Sequence, residues 1–551
     1  MLQSRAAFRI ARCNDNVEGT ARMKHRIDRV VVFALLVISL GAAAPAYVVA
    51  APGDVLSARS AGGSGLDTAL AAAYNNLQGY YYTTGFFSSD AVFGAGEPNE
   101  TTLHSGGETD MFLAQYDNDG TLRWARSAGA GGSDSGLDVA VDEADGNVYV
   151  VGSFSETVDF GQGNTVVSAG QSDAFVARYD SLGNLVWVHR AGSADDAKGD
   201  AGIAIGIFST GGFAVVGTYA ENAVFGPGEP NETTLGSAGG TDVFFATFDT
   251  SGALVRVTGA GSAEDDAPTD VAVVPGATRI VAAGSFSGDA TFAAGTPQQN
   301  MLSSRGGTDI FLYGSDDDGN MAWVTQAGGS DDDLSGRIAI AGAGGSILMT
   351  GSFRGTATFG APLGRDDVSS SGGSDIFLAR YTNSANLEWV KTAGGSKDDA
   401  GLGLDLRLAS GAPVVTGTIA GTATFGAGEA NETVLNAGSL SGSAIFVASY
   451  GETGLLDWAE MGKGNIELTG LLRAGTAVAV NTIAGEVLVA GTYYGKATFA
   501  VDQADEVELP TAQSLDAFTA LFETTPPPVP IRGIGCLLLA ILGGGLISRR
   551  R

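Results

Sequence analysis

One motif recurs along most of this chain, and its spacing restricts the possible folds more than composition does. A glycine that opens GSF or a close variant stands at Gly85, Gly152, Gly217, Gly284, Gly351, Gly417 and Gly491, at intervals of 67, 65, 67, 67, 66 and 74 residues. A phenylalanine in segments like ATFG follows at Phe93, Phe160, Phe225, Phe292, Phe359, Phe425 and Phe499. A second phenylalanine, in DxF, follows at Phe112, Phe175, Phe244, Phe311, Phe377, Phe446 and Phe518. The tryptophan of LxW completes five copies (Trp124, Trp187, Trp323, Trp389 and Trp458), and Ser57 and Arg256 hold its place in the other two. Repetition at a fixed period means one supersecondary unit stacked until a continuous core is buried.

Each copy reads as four short strands. In the copy that starts near Gly136 they are LDVAVD, NVYVVGSFSETVDFG, DAFVARYD and LVWVHRAG. Phe175, Ala177 and Tyr179 alternate with Val176 and Arg178, a period of two that suits a strand and not a helix. Asp-, Asn- and Gly-rich turns between the strands suit antiparallel hairpins. Four strands per copy and seven copies predict an all-β fold, a single seven-bladed β-propeller of four-stranded blades. The chain enters with DVLSARSAGG (Asp54 to Gly63), which aligns with a fourth strand, and leaves after DAFTALFE (Asp516 to Glu523), a third strand. The N-terminal strand is therefore expected to complete the last blade and close the ring, leaving no exposed sheet edge. The first strands are rich in Gly and Ala, as a crowded hub requires.

The run D-x-F-x-A-x-Y-D-x-x-G-x-L-x-W-x-x-x-x-G-G, followed by G-I-A-V and G-N-V-Y-V-x-G-S-F, resembles the SBBP repeat, a family named for a seven-bladed β-propeller. The resemblance covers roughly residues 54 to 523. It implies a secreted or surface-exposed bacterial protein and no established activity. Ala444 in place of the DxF aspartate and Arg256 in place of a tryptophan depart from the pattern.

Formal charge is −31, and the basic residues concentrate at the two ends, so the repeat region is more acidic still. Such a surface repels phosphate backbones and anionic headgroups, which argues against nucleic acid as a partner. Both cysteines, Cys13 and Cys536, lie outside the repeats, so no disulfide or thiol chemistry is expected within them.

The ends read as targeting segments. Residues 1–50 have the order of a secretory signal: Lys24, Arg26 and Arg29, the apolar run Val30 to Leu40, then small residues up to Ala50. Met23 would start a signal of ordinary length. Residues 51–525 are the propeller and 526–532 a Pro-rich spacer. Residues 533–551 form an apolar stretch ending in Arg549, Arg550 and Arg551, short for a membrane-spanning helix. This tail is similar to PEP-CTERM-type bacterial sorting signals, although the strict Pro-Glu-Pro motif is missing. A plain membrane anchor is the other reading of it. The expected location is the cell surface or the medium, with membrane contact only through the tail.

Chemistry is sparse. The three histidines are His25, His104 and His189, too few and too scattered for a Ser-His-Asp site or a His-rich zinc site. No catalytic residue is assigned and a non-enzymatic role is expected. Calcium is the one candidate cofactor, and its candidate ligands are Asp331, Asp332 and Asp333 after a fourth strand and Asp316 and Asp318 in the turn before it. Carboxylates in Gly-containing loops suit that ion, while hairpin turns favour the same residues for backbone reasons. The aspartate that opens each DxF (Asp110, Asp173, Asp242, Asp309, Asp375 and Asp516) reads as structural, accepting turn amides. The N-x-T segments at Asn99, Asn231 and Asn431 read as copied surface turns. The expectation is an exported binding or scaffold module for a surface protein or polysaccharide. A structural envelope or matrix component, a calcium-dependent adhesin and a hydrolase or lyase are the alternatives.

Overall fold

The computed structural model describes residues 54–194, 198–342, 344–360, 365–407, 411–438, 443–466, 477–482, 485–499 and 507–523. The signal segment, the Pro-rich spacer and the C-terminal tail lie outside the described residues. Among the described residues every regular element is a β-strand, and the strands fall into four-stranded antiparallel units. The first unit runs Asp67–Asn75, Tyr80–Phe87, Asp110–Asp117 and Leu122–Ala128, each strand pairing with the next. The last consists of Ala477–Asn481, Glu486–Phe499 and Ala512–Glu523, with Val55–Gly63 from the start of the chain as its fourth strand. There Ala58 faces Ala520 and Ser60 faces Phe518.

The three anchors of the repeat meet at one point in each unit. The GSF glycine lies directly across the ladder from the DxF phenylalanine, as Gly351 does from Phe377. A Cβ on Gly351 would stand 2.6 Å from the ring of Phe377 and 2.2 Å from the carbonyl oxygen of Leu334 on the first strand. Only a glycine lets three strands approach so closely. The ring so admitted packs against the ATFG phenylalanine. The seven ring pairs have centroid separations of 4.8 to 5.3 Å and tilted or edge-on planes, the geometry that aromatic quadrupoles favour.

One element departs from the sequence reading. The segment expected as a single long second strand breaks near the residue four beyond the anchor glycine in some units, as between Val148–Phe154 and Thr157–Asp159, and runs on as one strand with a bulge there in others, as in Ile280–Phe292 and Ser346–Phe359. Ser89, Glu156 and Glu221 there have φ of 61°, 60° and 49°, and Gly288, Gly355 and Gly421 have 61°, 63° and 68°. A left-handed residue interrupts the regular ladder at that point. The chain swings outward and its ATFG segment pairs with the end of the preceding unit's fourth strand: Gly394 with Thr424, Gly328 with Thr358, Ala260 with Phe292. The same link joins Gly62, at the end of the N-terminal strand, to Val92 of the first unit.

A second tie between units comes from the LxW position. The ring of Trp124 lies 2.9 Å from where a Cβ on Gly183 would be, in the hairpin turn of the following unit. Trp389 meets Gly454 in the same way, and Arg256 and Ser57 lie beside Gly319 and Gly120. The first strands of successive units lie side by side, and Ala477–Asn481 lies beside both Ala400–Arg407 and Asp67–Asn75. The core of the first unit accordingly includes Ala479, Leu488 and Leu521 of the last.

Phe377→Ala removes the ring that organises the fifth unit, where it is fully buried. It should destabilise the protein by about 3–5 kcal/mol, read as a lowered denaturant midpoint; a change near zero would mean that the ring contact does not hold the unit together.

Candidate functional site

The acidic residues singled out in the sequence do not converge. Asp316 and Asp318 precede the strand Met321–Gly329 and Asp331, Asp332 and Asp333 follow it, which puts the two groups roughly 26 Å apart at ~3.3 Å per residue. Asp316 Oδ1 accepts the amides of Asp318 at 3.0 Å and Asn320 at 2.8 Å. Desolvation pushes its carboxyl up, but the Asn320 side chain and these backbone bonds together outweigh it and hold the group below the usual range. Asp332 accepts the amide of Thr308 at 3.0 Å. Asp333 is fully buried and uses both oxygens, on Gly329 N at 2.7 Å and Arg354 N at 3.1 Å. Among the described residues no group of three or more His, Cys, Asp or Glu side chains is placed to hold a metal ion. Each of these carboxyls, Asp318 and Asp331 apart, is occupied in fixing a turn or joining two strands. Adding calcium and then a chelator should leave the thermal melt of the protein where it was; a calcium-dependent rise would show that these loops collect an ion.

The remaining loops behave alike. In the three N-x-T turns the Asn99, Asn231 and Asn431 amides donate to the carbonyls of Leu122, Leu254 and Leu456 at 3.1, 2.9 and 3.1 Å. Glu97, Glu229 and Glu429 accept the amides of the same leucines at 2.6, 2.6 and 2.7 Å. Each turn therefore clasps the start of a fourth strand. His189 packs edge-on against Trp187, 4.9 Å between centroids, and faces Glu229 at 3.7 Å. His104 is exposed beside Asp90.

Concave space appears where the first strands converge. One cavity of about 350 Å³ is lined by Tyr74, Asn76, Asp138, Asp270, Asp405 and Thr482 among others. A second, of about 400 Å³, is lined largely by apolar side chains, with Leu70, Leu137, Ile203, Pro268, Leu334 and Leu402 at its wall. Leu70, Leu137, Ile203 and Leu402 stand at the same bulge near the starts of their first strands. Arg337 lines both cavities. Its guanidinium reaches Asp138 at 3.4 Å and Asp270 at 3.1 Å, tying the fifth unit to the second and the fourth.

The two carboxylates have other work as well. Asp138 accepts the amide of Ile205 at 3.0 Å and Asp270 that of Ile338 at 2.8 Å, so each also holds the first strand of the next unit. Asp405 does the same for Val480 at 2.7 Å. Burial drives the Asp270 carboxyl up to about 6, and Arg337 opposes it. No sequence signal pointed to this constellation, because its members are nearly 200 residues apart at the extreme and sit in strands that otherwise read as hub filling.

Arg337→Met keeps most of the side-chain volume and removes the charge. It should leave Asp138 and Asp270 without a counter-ion and cost about 3–5 kcal/mol, measured by denaturant unfolding at pH 8; an unchanged midpoint would mean that solvent already screens the pair.

Fold and site together define a repeat protein of β-propeller type, with a cavity at the convergence of its units. No protein-family model matches the chain. It is 26% identical over 310 residues to the regulatory protein FlaEY of Caulobacter vibrioides, a match covering 53% of this chain and 31% of that protein. The chain thus spans under a third of the length of that relative. Among solved structures it is similar to the Dos1 propeller, with 10% identity, a TM-score of 0.40 and coverage of 85% of this chain and 94% of that one. It is also similar to Raptor of Chaetomium thermophilum, with 7% identity, a TM-score of 0.39 and coverage of 87% and 30%.

Proposed function

We propose that the chain is an exported, closed seven-bladed β-propeller of the SBBP type that acts as a non-catalytic binding module for a surface protein or polysaccharide. Closure is supported by the pairing of the N-terminal strand with the last unit and by its link onward to the first. Export and attachment to the cell surface are read from the two ends of the sequence, with membrane contact confined to the tail.

The observation that carries the binding role is the cavity beneath Leu70, Leu137, Ile203 and Leu402, wide enough for a small side chain or sugar and floored by Arg337. Apolar walls with a few placed polar groups are the usual construction of a recognition site. The same residues offer no nucleophile and base in contact, so recognition without turnover is the economical reading.

The test uses the full chain produced with its own leader. Protease applied to intact cells should degrade it. Leu137→Asp together with Leu402→Asp should reduce retention on envelope polysaccharide or surface protein from the same cells by tenfold or more, an effect on the order of 1.4 kcal/mol, while the melt stays in place. Unchanged retention would exclude this cavity as the binding site, and protection from protease would remove the surface role.

A further inference from the structure

We infer that three junctions between units, Asp242 with Asp266, Asp375 with Asp399 and Asp516 with Asp67, each hold one proton between their two carboxyl groups in the folded protein at neutral pH. The geometry is the same at all three, and Asp309 with Asp333 shares it except that the charge of Arg305 lies near Asp309. Two consecutive residues at the end of a fourth strand bring the carboxyls together. The first is a glycine packed on one aspartate: a Cβ there would stand 2.0 Å from Asp242 Oδ1 at Gly261, 2.6 Å from Asp375 Oδ1 at Gly394 and 2.8 Å from Asp516 Cγ at Gly62. The next residue donates its amide to the other aspartate, Ser262 to Asp266 at 2.6 Å, Gly395 to Asp399 at 2.9 Å and Gly63 to Asp67 at 2.8 Å. One peptide link therefore separates the paired groups.

The hydrogen bonds are unequally shared. Asp266 and Asp399 have both oxygens occupied, the second by the amides of Ser287 at 3.0 Å and Ala420 at 2.8 Å. In their partners only Oδ2 is used, by the amides of Ala238 and Ser371. Oδ1 of Asp242, Asp375, Asp516 and Asp67 is buried without a hydrogen-bond partner, and Asp242, Asp375 and Asp67 are at most 3% exposed. An unpaired buried carboxylate oxygen beside a second anion is doubly unfavourable. A proton on it turns the repulsion into a charge-assisted hydrogen bond to the neighbour.

A metal ion fits less well. The amides that converge on each pair present positive dipole ends, and two carboxyls fall short of the six to eight oxygens calcium takes. Other charges nearby are already matched. Asp265, beside the first pair, is held by Lys198 at 2.5 Å, and Asp398, beside the second, by Arg354 at 2.5 Å. At the third pair Asp516 is the charged neighbour that raises Asp67. A contrast is built in at Asp173 and Asp200, where Arg190 reaches Asp173 Oδ2 at 2.7 Å and supplies the positive charge instead.

Burial raises Asp242, Asp399 and Asp67 to about 7 and Asp266 and Asp516 to about 6, and moves Asp375 in the same direction. Folded-state values above the ordinary 3.8 mean that the native protein binds more protons than the unfolded chain between about pH 4 and pH 7. The contribution is fully present below that window and is lost as pH rises through it. The melting temperature of the full chain should therefore fall from pH 5 to pH 8.

Asp242→Asn, Asp375→Asn and Asp516→Asn place an N–H donor where the proton sits. Each should flatten the fall, and the three together should flatten it further, the sites being far enough apart to act independently. An infrared carbonyl band of protonated carboxyl should be present in the wild-type protein at pH 7 and diminished in the triple variant. Absence of the band in wild type counts against the proposal even if a variant fails to fold, whereas its presence supports the proposal only together with the loss in the variants, because burial raises Asp333 into the same range. Absence of the band at pH 7, a melt that rises with pH, or a rise on adding calcium would overturn the proposal.

Discussion

The contact of one glycine with two phenylalanine rings governs everything else in this fold. It sets the distance between the first and second strands, places the third strand against them, and fixes where the outer hairpin folds back. Burying a phenylalanine stabilises a fold by roughly 2–3 kcal/mol, and each unit repeats the pair, as with Phe359 and Phe377 at 4.9 Å. Hydrogen-bond ladders supply the register, but the ladder would tolerate many side chains at these places, whereas the close approach at Gly351 tolerates one. That is why the three anchors hold while the loops between them vary.

Apolar cores already bridge neighbouring units, as Leu348 and Ile376 do with Val415 and Phe446. Further ties reinforce the junctions: the ATFG segment added to the preceding fourth strand, the tryptophan laid on the next unit's turn, and aspartates that accept amides from two strands at once, as Asp399 does from Gly395 and Ala420. A buried carboxyl serves well because its two oxygens can satisfy donors on different strands. The electrostatic penalty is repeated at junction after junction, so the fold as a whole carries an unusual number of displaced carboxyl equilibria, from Asp67 to Asp516.

Much of this was legible in the sequence because period and anchor identity report local geometry. The four strands of a unit, the pairing of Ser57 with the tryptophan position and the amide-accepting role of Asp110 or Asp375 all follow from local pattern. What escaped detection depends on groups far apart along the chain. The link of Arg337 to Asp138 joins the fifth unit to the second, and no spacing rule anticipates it. The outward turn after the anchor was hidden for a different reason: Ser89, Glu156 and Glu221 adopt a left-handed conformation that their side chains do not advertise. The acidic loops illustrate the converse. Asp316 and Asp331 to Asp333 look like ligands by composition, and all but Asp331 take part in bonds that order backbone amides or, for Asp318, donate one to its neighbour.

The position of the strand Val55–Gly63 has a temporal meaning. Its partner strand ends at Glu523, so the earliest strand of the repeat region to be synthesised pairs with the latest. Until that meeting, Ala512–Glu523 presents an open edge and the seventh core lacks Val55 and Ala58. Such a long loop closure is entropically costly and slow. The preceding units can form in sequence as they appear, but the assembly has no means of completing itself from a fragment. A chain cut short anywhere before its last repeat keeps the ladder of its first strand unmet on the side that Ala512–Glu523 would cover.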